Sequence, residues 1–376
     1  MKVLLVSNYS YDRQESMLRF AAVLLAGLRA AGVEVNLVRP EPFFGRLRPS
    51  GSGLGKWLGY LDKFLLFPSR LRRLAAETDL VHICDHSNSM YVKHVVDRPH
   101  LVTCNDMLAI RSAHGEFPQN RTGWSGRILQ RWILAGLRRA RRLTCISEAT
   151  RRDVLRLTGH RPEIVSVTYM GQNFPYAPAA EVAEAAAQRR RGEPFDPAVF
   201  TRLGIPAEPY LLHVGGGQWY KNRPGVLAIH AALCERLGRR APRLLLVGPP
   251  CAAPGVEARS EVDNETLAAL YSGAEMLLFP SLEEGFGWPI IEAQACGCRV
   301  LTTGKDPMTE VGGAAAFYLA DPHDAVAGAV AVEQVLTQDE AVRGEAVRAG
   351  IENAARFSTE RMIGEYLAIY REVLGA

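Results

Sequence analysis

The chain has 376 residues, 48% hydrophobic and 22% charged, a composition that fits a folded globular protein and excludes a disordered or collagen-like one. That length exceeds one ordinary core and suits two domains. The net charge of +4 conceals an asymmetry: up to Pro175 there are 26 Lys and Arg against 14 Asp and Glu, leaving 18 against 26 for the remainder.

A basic half beside an acidic half points to an anionic partner, with anionic lipid, a phosphorylated substrate and nucleic acid all open on charge alone. The seven cysteines form no CxxC pair, and Cys296 and Cys298 are too close together, and too far from any His, for a zinc site. Scattered thiols in odd number point to a reducing compartment. No run of roughly 18 apolar residues is present to span a membrane.

The opening MKVLLVSNYS reads as a first strand, too short for a signal-peptide core. In the loop SNYSYDRQESM, Asp12 and Glu15 have capping-box spacing ahead of a helix from about Gln14 to Ala31. Strand runs follow at VEVNLV, LVHIC, HLVTC, RLTCIS and EIVSVTY, with helical patterns between most of them. The segments 57–74 and 126–143 mix aromatics, leucines and basic residues. They read either as ordinary buried stripes with solvated arginines or as helices that lie in a membrane interface. No nucleic-acid reading module accompanies the charge, so nucleic acid is set aside.

A polar stretch, 176–204, reads as a solvated helix or tether. The strand–helix rhythm then restarts with YLLHVG, RLLLVG, EMLLFPS and CRVLTT, and a closing helix is expected from about Ser358 to Leu374. Apolar strands alternating with helices mean parallel sheets buried on both faces. The expected architecture is therefore two Rossmann-like domains, 1–175 and 205–357. Ligands of such sheets bind beyond the carboxyl ends of the strands, so a cleft between the domains is the expected site.

The strongest motif is EEGFGWPIIE, where seven residues separate Glu284 from Glu292. Gly285 and Gly287 allow close backbone approach, and Pro289 suits the first position of a helix, where its missing N–H costs nothing. That helix ends at about Ala295, ahead of Gly297, and its free N–H groups attract an anion. The two acids then lie on different elements, suited to holding a ribose diol and sugar hydroxyls. Taken singly, each reads as a dipole-offsetting or surface acid.

The stretch PSLEEGFGWPIIEAQACGCRVLTT, with NETLAALYSGAEMLLFPS upstream, closely resembles the signature of retaining nucleotide-sugar glycosyltransferases of the GT-B fold, glycosyltransferase family 4. The likeness is strong over the second half and weaker over the first. It implies that Glu292 binds the nucleotide ribose and that Glu284 lies by the donor sugar. It also implies that the backbone of Gly285, Phe286, Gly287 and Trp288 contacts sugar and diphosphate, and that the donor base is read near Ser260 to Val262. In HVGGGQWYKNRPG, Gly215, Gly216 and Gly217 let the backbone approach a ligand, and Lys221 offers a cation to the leaving diphosphate. The bland reading of Lys221 is a solvated loop lysine. The family's usual Arg before this Lys is replaced by Gly216, which leaves the second charge to Arg223 or to a residue of the first domain.

In the first half, the resemblance implies that His86 reaches the donor sugar, whereas His82 sits within an apolar run and reads as a core residue. Asn105 replaces a family His, and Asp106 either borders the acceptor pocket or caps the following turn. The family's Gly-Gly pair is absent from the first loop, where Tyr9, Tyr11 and Gln14 are candidates to shape an acceptor pocket. No Asp-x-Asp metal handle occurs, so neither a metal nor a cofactor is expected beyond the nucleotide diphosphate sugar as co-substrate.

The resemblance implies a hexosyltransferase of polysaccharide or glycolipid synthesis acting on a saccharide, lipid-linked or small-molecule acceptor, while the scattered thiols and the basic segments point to the cytoplasm, in solution or at the inner face of the membrane. The rival readings are a nucleotide-sugar 2-epimerase on the same fold and a non-catalytic nucleotide-sugar-binding protein.

Overall fold

The structure, a computed structural model, describes residues 1–12, 14–47 and 53–375. Arg13 of the loop SNYSYDRQESM lies outside the described residues. Two compact units are present, Met1–Asn173 with Thr359–Ala376, and Phe174–Ser358.

The first unit runs β1 (Lys2–Val6), α1 (Glu15–Ala30), β2 (Glu34–Val38), α2 (Gly53–Leu61), α3 (Phe67–Ala76), β3 (Leu80–Ile83), β4 (His100–Cys104), α4 (Leu108–Ala113), α5 (Trp124–Leu137), β5 (Arg142–Cys145), α6 (Glu148–Thr158) and β6 (Val165–Val167). Its strands pair in parallel in the order β2-β1-β3-β4-β5-β6. The central strands β3 and β4 are buried along their whole length, as strands covered by helices on both faces must be.

The second unit runs α7 (Ala180–Arg191), α8 (Ala198–Arg202), β7 (Tyr210–Val214), α9 (Arg223–Leu237), β8 (Arg243–Val247), β9 (Val256–Arg259), α10 (Asn264–Gly273), β10 (Met276–Phe279), α11 (Trp288–Ala295), β11 (Val300–Thr303), α12 (Met308–Gly312), β12 (Phe317–Leu319), α13 (Ala325–Leu336) and α14 (Glu340–Ala355). Its parallel order is β12-β11-β10-β7-β8-β9. Counted within the unit this is 3-2-1-4-5-6 reversed end to end, the Rossmann order, with its reversal between β7 and β10. Asp263, Asp324 and Asp339 open α10, α13 and α14 by accepting hydrogen bonds from Thr266, Ala327 and Val342 N–H groups at 2.7–2.9 Å.

The last helix, α15 (Thr359–Leu374), belongs to the first unit. Tyr370 Oη lies 2.7 Å from His82 Nδ1, and Tyr366 Oη lies 3.0 Å from Thr103 Oγ1, itself 2.7 Å from His82 Nε2. Burial pushes His82 down to about 3, so the ring is neutral and fully satisfied, a core residue.

Two expectations are corrected. No capping box forms at α1: the N-cap is Gln14 with no side-chain cap bond, and Asp12 instead pairs with Lys63 at 2.9 Å. Nor is 176–204 a solvated helix or tether: a helix forms, but it is packed rather than solvated. Val182, Ala185, Ala186 and Phe200 are buried, and Arg189 of α7 reaches Glu275 at the start of β10. The small Ala side chains of α7 carry little hydrophobic signal, yet they let the helix lie close to its neighbours.

Glu275 is buried, 2.9 Å from Arg189 Nη2 and 3.1 Å from Arg343 Nη1 of α14. Burial opposes its ionisation, but Arg343, Arg190 and Arg189 outweigh it and hold the carboxyl below its ordinary range. Removing one partner of such a cluster strands the others. Glu275→Ala is therefore expected to cost about 3–5 kcal/mol in urea unfolding, while Arg202→Ala, whose pair with Glu181 is exposed, costs under about 1 kcal/mol.

Candidate active site

In the second unit the chain leaves β7 through Gly215, Gly216 and Gly217, makes one 3-10 turn at Trp219–Lys221, and enters α9. Asn222, in the left-handed conformation at φ 51°, caps α9 by accepting from Gly225 N–H at 3.3 Å. Its Nδ2 donates to the carbonyls of Pro280 (2.9 Å) and Pro322 (3.0 Å), which ties this loop to the loops after β10 and β12. Leu282 N–H donates to Tyr220 O at 2.7 Å, a second tie. Lys221, next to Asn222, is thereby held with Nζ 2.7 Å from Glu284 Oε1 and 5.1 Å from the centre of the Phe279 ring. Both side chains are largely buried, so each charge is balanced mainly by the other.

The loop after β10 turns into α11 at Gly287, whose φ of 108° an L side chain rarely adopts. Phe286 is buried with its ring 5.5 Å from that of Phe357, which anchors the turn, while Gly285 and Trp288 are half-buried. Glu292, one turn into α11, is buried and accepts from Tyr271 Oη at 3.0 Å. Burial and then the Glu292 carboxylate raise Tyr271 well above the ordinary phenol value, so it stays a donor. The structure thus brings Lys221, Glu284 and the N-terminus of α11 to the carboxyl ends of β7 and β10, the two strands at the reversal. Tyr271 was missed in the sequence, although its place in NETLAALYSGAE, within the helix ahead of the motif strand, was visible.

Arg223 Nη2 donates to Pro249 O. A Cβ at Gly216 would lie 2.4 Å from Gln218 Oε1, the far end of a flexible side chain that would have to swing aside. Ser260 to Val262 follow β9 directly, with Ser260 and Glu261 exposed.

In the first unit the sheet reverses between β1 and β3. Asp85 follows β3 and caps the 3-10 stretch His86–His94, accepting from Ser87 N–H at 3.3 Å. Asn8 Nδ2, after β1, donates to Asp85 Oδ2 at 2.6 Å, and Asn105 Nδ2, after β4, donates to Asp85 Oδ1 at 3.1 Å. Asn8 Nδ2 also donates to Gln14 Oε1, which draws Gln14 into the same network. His86 Nδ1 lies 3.0 Å from Asp85 Oδ1, off the line of a straight hydrogen bond but close enough for an ion pair. Burial lowers the His86 pKa, but Asp85, with Asp106 and Cys104 behind it, outweighs burial and raises it to about 9. Asp85 is held well below its ordinary value: His86 and the hydrogen bonds from Ser87 and Asn8 overcome its burial. Asn8 and Asp85 were missed in the sequence; the signal was an acid directly beside His86 at a strand end.

The other first-unit candidates are engaged locally. Tyr9 Oη donates to the buried Asp62 at 2.8 Å, and Asp106 Oδ1 accepts from Leu108 N–H at 2.9 Å, which caps the turn into α4.

The pair sets a pH window. His86 titrates above its ordinary 6.5 and Asp85 below its ordinary 3.8. The stabilisation of His86 is complete below about pH 6.5 and lost as pH rises through about 9. That of Asp85 is complete above about pH 4 and lost in stronger acid. The gap in melting temperature between wild type and Asp85→Asn is expected to be widest between those limits and to narrow in alkali. A gap that stays constant from neutral pH to pH about 10 would remove the pair's electrostatic role.

The sequence model of a family described as Glycosyl transferases group 1 matches residues 208–338, and that of Glycosyltransferase Family 4 matches residues 17–173. The chain is 25% identical over 299 residues to an O-antigen chain mannosyltransferase B of Escherichia coli, covering 76% of this chain and 73% of that one. It is 27% identical over 281 residues to a D-inositol 3-phosphate glycosyltransferase of Corynebacterium diphtheriae, covering 69% of this chain but 62% of the relative. Among solved structures it resembles a sucrose-phosphate synthase from Thermosynechococcus elongatus (TM-score 0.71, 19% identity, 100% of this chain and 99% of that one). It also resembles Anabaena Alr3699/HepE in complex with UDP and glucose (TM-score 0.69, 14% identity, 99% and 100%). These structural likenesses show the GT-B fold. With one such family match on each Rossmann-like unit, together covering most of the chain, the protein belongs to the group 1, family 4 glycosyltransferases.

Proposed function

We propose that the protein transfers a hexosyl unit from a nucleoside diphosphate sugar to an acceptor hydroxyl, with retention at the anomeric carbon. The observation that carries this reading is the Lys221–Glu284 pair, 2.7 Å apart, beside a Gly-turned helix N-terminus at the sheet reversal. A cation and a helix N-terminus suit a diphosphate, and an adjacent carboxylate suits the sugar attached to it. The buried Glu292, oriented by Tyr271, is assigned the ribose diol, where a carboxylate can accept two hydrogen bonds.

In the reaction the bond from the anomeric carbon to the diphosphate oxygen breaks and its electron pair stays on that oxygen. The acceptor oxygen bonds the same face of the carbon, and its proton passes to the departing phosphate. Lys221 and the α11 N-terminus meet the negative charge as it develops, which favours the transition state over the ground state. That positive pair fills the role a Lewis-acid metal has elsewhere. His86, carried as a cation by Asp85, is assigned a hydrogen bond to substrate. Two of the relatives named above are an O-antigen chain mannosyltransferase and a D-inositol 3-phosphate glycosyltransferase; for this chain a saccharide, lipid-linked or small-molecule acceptor is proposed.

Lys221→Ala is expected to lower kcat by about 10²–10³-fold with a smaller change in KM, as for loss of one transition-state charge donor. Glu292→Ala is expected to raise the donor KM by about ten- to a hundredfold, as for loss of hydrogen bonds to a charged group. Steady-state assays of nucleoside diphosphate release measure both, and wild-type values for the two variants would sink the assignment. Omitting the acceptor separates transfer from epimerisation, because an epimerase converts the donor alone.

A second measurement is thermal unfolding with UDP, GDP, ADP and TDP in the presence of EDTA. One diphosphate is expected to raise the melting temperature clearly, since a ligand at about a hundred times its Kd adds about 2.7 kcal/mol. Absence of any shift in folded protein, or a shift that EDTA abolishes, would contradict the proposed metal-free diphosphate site.

A further inference from the structure

We propose that the first unit docks onto anionic phospholipid bilayers through one continuous aromatic and aliphatic face, built by α2, the turn that follows it and α5. This goes beyond the transfer reaction and does not rest on it.

Two stripes make the face. Trp57, Leu61 and Leu65 recur at every fourth residue and are 59%, 41% and 65% exposed. Trp124, Ile128 and Trp132 repeat the spacing on α5 and are 73%, 52% and 51% exposed. Residues four apart on a helix share a side, so each helix turns an apolar line to solvent. The stripes are joined edge to edge: ring centres are 5.6 Å apart for Trp57 and Tyr60, 5.3 Å for Tyr60 and Phe64, and 5.6 Å for Phe64 and Trp132. The fold has already used the opposite sides of these helices. Gly136 of α5 lies so close to the His86–His94 stretch that a Cβ there would meet Ser89 O at 2.1 Å, and Ile133, Leu134 and Leu137 are buried.

A π-helical turn, Asp62–Leu66, interrupts the first stripe. It points Asp62 inward, where the carboxylate accepts from Tyr9 Oη (2.8 Å), Phe44 N–H (2.9 Å) and Gly45 N–H (2.9 Å). Asp62 is the sole acid in segments 53–76 and 124–137, so neither segment puts a negative side chain on the face. Around the face Arg121, Arg127 and Arg131 are exposed and Lys93 Nζ lies 5.2 Å from the Trp132 ring centre, whereas Lys63, whose Nζ lies 5.1 Å from that of Tyr60, is already paired with Asp12 and is not counted with them.

Charge selects the occupant. A second copy of this face would bring two basic surfaces together, which like-charge repulsion disfavours. A nucleic acid would satisfy the cations and stack on the tryptophans, yet leave Leu61, Leu65 and Ile128 facing phosphate and water. A bilayer of anionic lipid satisfies all three classes at once. Aliphatics enter the acyl boundary, tryptophans sit at the headgroup level, and long basic side chains reach the lipid phosphates. Each cation near such a surface is worth about a fivefold gain in partitioning.

The test is flotation of the full-length protein with vesicles of phosphatidylcholine alone, or of phosphatidylcholine and phosphatidylglycerol in a two-to-one ratio, without any sugar nucleotide. Strong binding to the anionic vesicles alone is expected, weakened by salt, with quenching of tryptophan by brominated acyl chains. Leu61→Ser with Trp132→Ser, and separately Arg127→Glu with Arg131→Glu, are each expected to reduce binding by at least about tenfold. Each variant should keep the wild-type melting temperature, which excludes misfolding as the cause. Equal binding to both vesicle types, or unchanged binding by folded variants, would overturn the proposal. So would sedimentation showing a wild-type dimer that the variants dissociate, because the face would then be a contact between copies.

Discussion

In a parallel sheet wound outward in both directions from one strand, the loops at the reversal leave on opposite sides of the sheet, and a crevice opens at the strands' carboxyl ends. Both units are built this way, with reversals at β1/β3 and at β7/β10. The groups assigned to substrate, Lys221, Glu284, Glu292 and His86, each sit at one of these reversals or on the helix that leads from it. In the second unit Asn222 bonds three backbone groups, joining the loops after β7 and β10 and so fixing where Lys221 meets Glu284. In the first, Asn8, Asp85 and Asn105 come from the ends of β1, β3 and β4 and hold His86 from beneath.

Buried charge follows the same economy throughout. Glu275, Asp85 and Asp62 are all buried, and each is satisfied by groups far away in the chain. Their effects differ because their partners differ. Glu275 faces arginines and fastens α7 and α14 to the start of β10. Asp62 faces neutral donors and fastens the loop before α2 while removing a negative charge from the surface. Asp85 faces a group that titrates, and so can keep a histidine cationic through neutral pH.

The alternation of apolar strands with helices was readable because a strand buried on both faces must be almost wholly apolar, and the runs LLHV, LLLV and MLLF are. β9 and β12 were not read: Val256–Arg259 is half-buried, and Phe317–Leu319 is three residues long, so neither has that signature. The turn at Gly287 and the helix entering with Pro289 were legible because Gly and Pro are restricted by local sterics alone. The proposed capping box at Asp12 failed because Lys63, 51 residues away, offers a charged partner that local spacing cannot reveal.

By itself the sequence determined what local chemistry decides: two parallel α/β units, the Gly-turned helix that carries Glu292, and the family to which EEGFGWPIIE belongs. Tertiary structure alone decided the pairings. Asp85 with His86 could be suspected from adjacency, but not the asparagines from β1 and β4 that fix it. Tyr271 on Glu292, Lys221 on Glu284 and Phe64 on Trp132 bring together residues 21, 63 and 68 positions apart. The physical reason is range. Backbone sterics and hydrophobic period act within a few residues, whereas the partner of a buried charge, or the neighbour of an exposed ring, is chosen by how the sheets wind.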